Sequence, residues 1–204
     1  QEATALYAQA ADKEPRVWAR RKIMVQSIWC FQNLGQPVRA ASLFVALLES
    51  DPHTLIEGLV IAGYATGSSN GIVFIRHGHN GPIERTEKAI SQAYESGLLG
   101  KNILGTDFSF DIEVALTGES YVAGEETALM EAVEGNRSMP RNRPPFPAAF
   151  GVWGKPSNIN NIKTLSFVPE IIRRGAEWFT GIGTDKSKGT AEACMSGHVR
   201  YPGP

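Results

Sequence analysis

"DPHTLIEGLVIAGYATGSSNGIVFIRH", residues 51 to 77, changes its hydrophobic period part-way through, and that change decides the fold class. Up to Gly67 the apolar positions Leu55, Ile56, Leu59, Val60 and Gly63 recur at helical spacing. Asp51 followed by Pro52 is a helix start, because the carboxylate can accept from orphan N–H groups and proline suits the first turn. Gly67 is a fitting stop. From Gly71 to His77 the chain becomes a short β-branched run of the kind found in buried strands. The alternation continues downstream. "GPIERTEKAISQAYESGLLG" (81–100) predicts a second helix, with Pro82 at its start, Ile83, Ala89, Ile90 and Ala93 inward, and Gly97 just past its end. "FSFDIEVAL" (108–116) alternates as a strand, and "NINNIKTLSFVPEIIRRG" (158–175) predicts a closing helix with Asn160 as cap and Gly175 as terminator. Helix, strand, helix, strand, helix is the rhythm of an α/β layered domain with a mostly parallel sheet, here expected to be incomplete.

Composition narrows the function classes. The 204 residues carry 42% hydrophobic and 20% charged side chains, enough for a real core, and a net charge of −1 gives no basic footprint for nucleic acid. The balance is uneven, since residues 1–47 hold six Lys/Arg against three Asp/Glu. That segment reads as a basic, helical appendage to a body spanning 48–190. Cys30 and Cys194 stand far apart and supply neither a disulfide framework nor a metal set. His77 and His79 would share one face of a strand, but no second ligand pair accompanies them. No run of about 18 apolar residues occurs, so direct membrane insertion is not expected and a cytoplasmic or matrix-facing place is.

In parallel sheets ligands collect where strand C-terminal ends lead into helix N-termini. Two loops meet that description. In "GESYVAGEETAL" (118–129), Gly118 and Gly124 let backbone approach a ligand and Tyr121 can stack on a ring. Glu125 and Glu126 fall in the first helical turn, where they either favour the helix dipole by roughly 0.3–1 kcal/mol each or hold a ligand's hydroxyl or amide. In "GKPSNINNIKT" (154–164), Asn158, Asn160 and Asn161 present amides and Thr164 a hydroxyl. These make an ordinary cap and Asx turn, or a seat for a phosphate or polyol. Between the loops, Arg141 and Arg143 of "RNRPPFP" can attract phosphates and Phe146 can stack on a base.

Those alternatives stay open on spacing, but the motifs taken in series carry a resemblance. "DPHTLIEG", "SGLLGKNILGTDFSFD", "YVAGEETALMEAVEG", "RPPFPAAFGVWGKPSNINNIKTL", "GAEWFTGIGTDKSKGT" and "SGHV" follow one another across some three quarters of the chain. Together they resemble the flavin-binding, NADH-oxidising subunit of respiratory complex I and the related diaphorase subunits of NAD-linked hydrogenases and formate dehydrogenases. The resemblance implies a Rossmann-like domain that binds FMN, takes a hydride from NADH, and works beside other subunits of a multi-subunit complex holding iron–sulfur centres, peripheral to the inner membrane. It implies that Tyr121, Gly124, Glu125 and Glu126 line the flavin and nicotinamide, with Glu126 beside the reacting ring. It implies that Asn160, Asn161 and Thr164 surround the ribityl chain and phosphate, and that Arg143 and Phe146 meet NADH.

There are departures. The family's glycine-rich Gly-Arg-Gly-Gly-Ala-Gly-Phe-Pro loop has no counterpart in these residues, and "GQPVRAASLFVALLES" stands where an acidic Asp-Glu-Ser-Glu-Pro-Gly segment precedes "DPH". "TGES" replaces a Gly-Ala-Gly, and Ala123 stands where a Cys is usual. The four cysteine ligands of the family's 4Fe–4S cluster are also not among these residues, and 191–204 reads as the start of a following β-rich module. The chain therefore reads as truncated at both ends, and a non-catalytic, structural or assembly fragment is the alternative expectation.

Overall fold

The structure, a computed structural model, describes residues 48, 49, 51–118, 120–189 and 198. The predicted helical segment 1–47 and the expected module at 191–204, His198 apart, lie outside the described residues. Helix α1 (Pro52–Thr66) starts as the sequence predicts: Asp51 Oδ1 accepts from Thr54 N at 3.2 Å and its Oδ2 from the Thr54 hydroxyl at 2.7 Å. It ends at Gly67 with φ of 70°, a left-handed turn that glycine enters without steric cost. Leu55, Ile56, Val60 and Gly63 are buried on its inner face, joined by Ile61, while Leu59 is only partly covered.

Strand β1 (Asn70–Arg76) and strand β2 (Asp111–Thr117) pair in parallel, from Asn70 beside Asp111 to Arg76 beside Thr117. A parallel pair needs a crossover, and helix α2 (Asn80–Glu95) supplies it, with Ala89, Ile90 and Ala93 buried. β1 ends one residue before the predicted limit, so His77 lies past the strand and His79 is the residue preceding α2. The two histidines thus belong to a turn and share no strand face. β2 begins three residues later than predicted, because Phe110 is taken up in a separate antiparallel bridge with Gly100.

Phe110 is the largest fully buried side chain among the described residues, and glycine makes room for it. A Cβ on Gly63 would lie 2.3 Å from the Phe110 ring. Helix α3 (Glu126–Val133) follows β2, and helix α4 (Ile162–Arg174) packs across α1. The α1–α4 contact is close enough that a Cβ on Gly58 would stand 2.1 Å from the Leu165 carbonyl oxygen. A short helix α5 (Ala176–Thr180) and a tight antiparallel pair, β3 (Gly183–Thr184) and β4 (Ser187–Lys188), complete the described chain. No helix among the described residues is long and apolar enough to cross a membrane.

The Gly58 contact gives a direct test of the packing. Gly58→Ala gains helix propensity but forces α1 and α4 apart, and is expected to cost about 1–3 kcal/mol net. A urea midpoint equal to that of the unsubstituted chain would show that the two backbones do not meet there.

Candidate functional site

At the C-terminal end of the sheet, His77 N donates to Thr117 O at 2.8 Å, holding the two strand ends together. The chain then passes Gly118 and Ser120 into a 3₁₀ turn, Tyr121–Gly124, and from there into α3. Glu125 is the cap of that helix rather than part of its first turn. Its Oε2 accepts from Thr127 N and Ala128 N, both at 2.9 Å, and from the Thr127 hydroxyl. Glu126 is the first helical residue. Helix capping therefore accounts for Glu125, whose carboxylate satisfies two orphan donors. These bonds, the Thr127 hydroxyl first, hold the Glu125 carboxyl below its ordinary range, with Arg143 adding to the effect.

The functional reading is not excluded by the cap, because the other oxygen of Glu125 points to Arg143. Arg143 Nη2 lies 3.2 Å from Glu125 Oε1, and Nη1 pairs with Glu126 Oε1. The structure thus brings together three residues singled out from the sequence. Their side chains are 40%, 32% and 37% exposed for Arg143, Glu125 and Glu126, so the corner is open surface that an incoming molecule can reach. Tyr121 is 86% and Phe146 60% exposed. No hydrogen bond or ion pair among the described residues joins either side chain to the carboxylates. A Cβ on Gly118 or Gly124 would meet nothing within 4 Å, so any need for glycine there must come from outside the described residues.

The second loop corrects one assignment. Asn161, not Asn160, caps α4, its side-chain oxygen accepting from Lys163 N at 2.9 Å. The helix starts one residue later than expected, and the side chains of Asn160 and Thr164 are exposed and make no hydrogen bond among the described residues. Burial depresses the Lys163 ammonium from its ordinary pKa in the same turn. One hydrogen bond ties the start of the second loop to the segment between the two loops. Ser157 N donates to Pro147 O at 2.9 Å, closing the segment between them.

The sequence pattern did not reveal the partners of Arg141. Arg141 was a candidate for phosphate, but its guanidinium is committed to α3, pairing with Glu131 through Nε and with Glu134 Oε2 through Nη2 at 2.5 Å. Those hydrogen bonds raise the Arg141 pKa and lower that of Glu131. The signal was present as Glu131 and Glu134, three apart on one helix face. A cleft of about 520 Å³ opens beside them, lined by Met130, Arg141, Phe150 and Trp153 among others, and none of the residues implied by the resemblance lines it. Arg143 and the glutamates form an open corner beside it rather than an enclosed cavity.

With that geometry in hand, the chain can be set beside known proteins. The family described as the Nuo51 FMN-binding domain matches residues 45–170. The chain belongs to that family. It is 47% identical over 157 residues to an NADH-quinone oxidoreductase subunit of Rhizobium meliloti, covering 77% of this chain and 37% of that one. It is 48% identical over 158 residues to NADP-reducing hydrogenase subunit HndC of Solidesulfovibrio fructosivorans, covering 78% and 32%. Among solved structures, an NAD⁺-reducing [NiFe]-hydrogenase in its H₂-reduced state matches with a TM-score of 0.66 at 34% identity, over 77% of this chain and 26% of that one. The fold is thus the Rossmann-like one expected. The chain spans about a third of the length of these curated relatives.

In this chain the Glu125 cap makes a pH-dependent contribution with a definite sign. A carboxyl whose folded pKa lies below the unfolded value stabilises the fold above that unfolded value, and the contribution is lost as pH falls through the folded pKa. Glu125→Ala is expected to cost about 0.5–2 kcal/mol at neutral pH. Stability measured from pH 7 downward should show wild type and variant converging below about pH 4.5, the carboxyl's ordinary value. A constant gap throughout would show that the ionised cap contributes nothing.

Proposed function

We propose that this chain carries the coenzyme-facing part of an NADH-oxidising flavoprotein subunit, in which NADH delivers a hydride to FMN and electrons pass on to iron–sulfur centres held elsewhere in a multi-subunit complex. The observation that supports this best is the Arg143 bridge to Glu125 and Glu126 at the C-terminal end of the sheet. A carboxylate pair at a helix start can accept from a ligand's amide, and its arginine, once released, can meet that ligand's phosphates.

FMN, when bound, accepts the hydride and releases electrons singly. The chain's residues fit its phosphorylated end at one place and not at another. At the start of α3 the Thr127 and Ala128 donors are already taken by Glu125. At the start of α4 the Asn160 amide and Thr164 hydroxyl are exposed and without partners among the described residues, beside the Asn161 cap, which suits a polyol chain and phosphate. Asn160, Asn161 and Thr164 are accordingly proposed to hold the ribityl-phosphate end, and Tyr121 and Gly124 to border the ring. Glu126 would accept from the nicotinamide carboxamide and fix the ring's orientation. Arg143 would turn from the carboxylates toward the NADH phosphates, and Phe146, exposed three residues on, would stack on the adenine.

The 204 residues contain no glycine-rich phosphate loop, so FMN is expected to bind this chain more weakly than the low micromolar range. Fluorescence titration tests the assignment. Asn160→Ala combined with Thr164→Ala should weaken FMN about tenfold, or 1.4 kcal/mol, and leave NADH affinity in place. Glu126→Gln should do the reverse. FMN and NADH affinities indifferent to all three substitutions would remove the assignment, and NADH oxidation at background rates with FMN supplied would favour a purely structural part.

A further inference from the structure

The segment that carries Arg143 and Phe146 holds neither helix nor strand from residue 137 to 151, yet both of its ends are fastened to α3. Near its start, Arg141 N donates to the buried Thr127 hydroxyl at 2.9 Å. That hydroxyl in turn donates to Glu125. The Arg141 guanidinium then pairs with Glu131 and Glu134 and sends Nη1 to Gly151 O, 3.4 Å away at the far end. Just beyond, Glu134 Oε1 accepts from Trp153 N at 2.7 Å. Trp153 has φ of 50°, a left-handed conformation that a bulky residue keeps only when its surroundings impose it. Between these fastenings the segment is held by the Arg143 pairs to Glu125 and Glu126, by Ala149 N and Phe150 N donating to Phe146 O, and by Ser157 N donating to Pro147 O, with Gly151 N donating to Lys155 O at its end.

We propose that Arg141 is the positioning residue of this segment, its guanidinium fork setting where Arg143 and Phe146 stand relative to Glu125 and Glu126. The role rests on the coenzyme reading above only for what the positioned side chains meet. Arg141 itself touches no ligand in this scheme. The fork matters as well as the charge, because three nitrogens reach in three directions, to two carboxylates and one carbonyl. A lysine ammonium is a point charge on a flexible stem and cannot serve all three at once. The Arg141 side chain is 23% exposed against 40% for Arg143, so its pairs are the less screened of the two sets.

Amide hydrogen exchange on the coenzyme-free chain decides the matter. Arg141→Gln should speed exchange at Ala149 and Phe150 at least tenfold while the amides of α1 and β1 keep their rates. Arg141→Lys should lie between wild type and the Gln variant. Unchanged rates at 149 and 150, equal acceleration throughout the domain, or a Lys variant indistinguishable from wild type would each overturn the proposal. A second readout separates positioning from plain stability. Arg141→Gln should weaken NADH severalfold without altering FMN affinity, and the loss should not add to that of Arg143→Gln; additive losses would overturn it. The exchange measurement needs no coenzyme. A wild-type chain that binds no NADH would therefore count against the proposed function, while Arg141 would still stand or fall on its exchange rates.

Discussion

The parallel pairing of β1 with β2 is the constraint from which the rest follows. Two strands running the same way cannot be joined by a tight turn, so the chain must rise over the sheet as α2 before returning. Both strands then end on the same edge, where His77 N bonds Thr117 O. Whatever follows β2 has to leave from that edge. Here it is the Tyr121–Gly124 turn and the capped start of α3, which puts Glu125, Glu126 and, through its ion pairs, Arg143 at the end of the sheet where ligands collect in such folds.

Capping and ligand contact looked like rivals for the paired glutamates, and the structure divides them by oxygen. One oxygen of Glu125 receives the helix donors and the other faces Arg143. Capping fixes the side chain in one rotamer, so the second oxygen is presented without further loss of entropy. Glu126 has no such duty to the helix, and its contact is with Arg143. Asn161 does at α4 what Glu125 does at α3. In both places the cap residue is immobilised and a neighbour is left open: Glu126 beside Glu125, and Asn160 beside Asn161.

What was legible in the sequence was whatever depends on periodicity and local capping. Asp51-Pro52, Gly67, and the inward Ala89, Ile90 and Ala93 are settled by spacing within one turn, and they stand where spacing puts them. Strand limits were less legible, because Phe110 fits an alternating pattern as well as β2 does and only its bridge to Gly100 removes it. The Asn160 cap failed by one residue, since two adjacent asparagines carry the same local signal and the helix axis chooses between them. Arg141 was visible as a charge but not as a hub. Its partners Glu131 and Glu134 are seven to ten residues away and meet it only because the chain doubles back along α3. Periodicity carries no record of that return.

Charge gives a further reason for the division of the site into two loops. With Arg143 between them, Glu125 and Glu126 leave the corner with one net negative charge, which repels a phosphate. On the proposed reading the same charge favours hydride donation, because NADH is neutral at its nicotinamide and the ring it leaves behind is cationic. A unit charge about 4 Å from such a ring at a protein surface is worth roughly 4 kcal/mol. On that reading the flavin phosphate would need donors elsewhere, at the α4 start, and the NADH phosphates would have to draw Arg143 away from the carboxylates. An arginine that neutralises the carboxylates until a phosphate draws it away would raise the negative field at the ring just as the ring arrives. If Arg141 positions that segment as proposed, the electrostatics of the corner would depend in turn on its packing against α3.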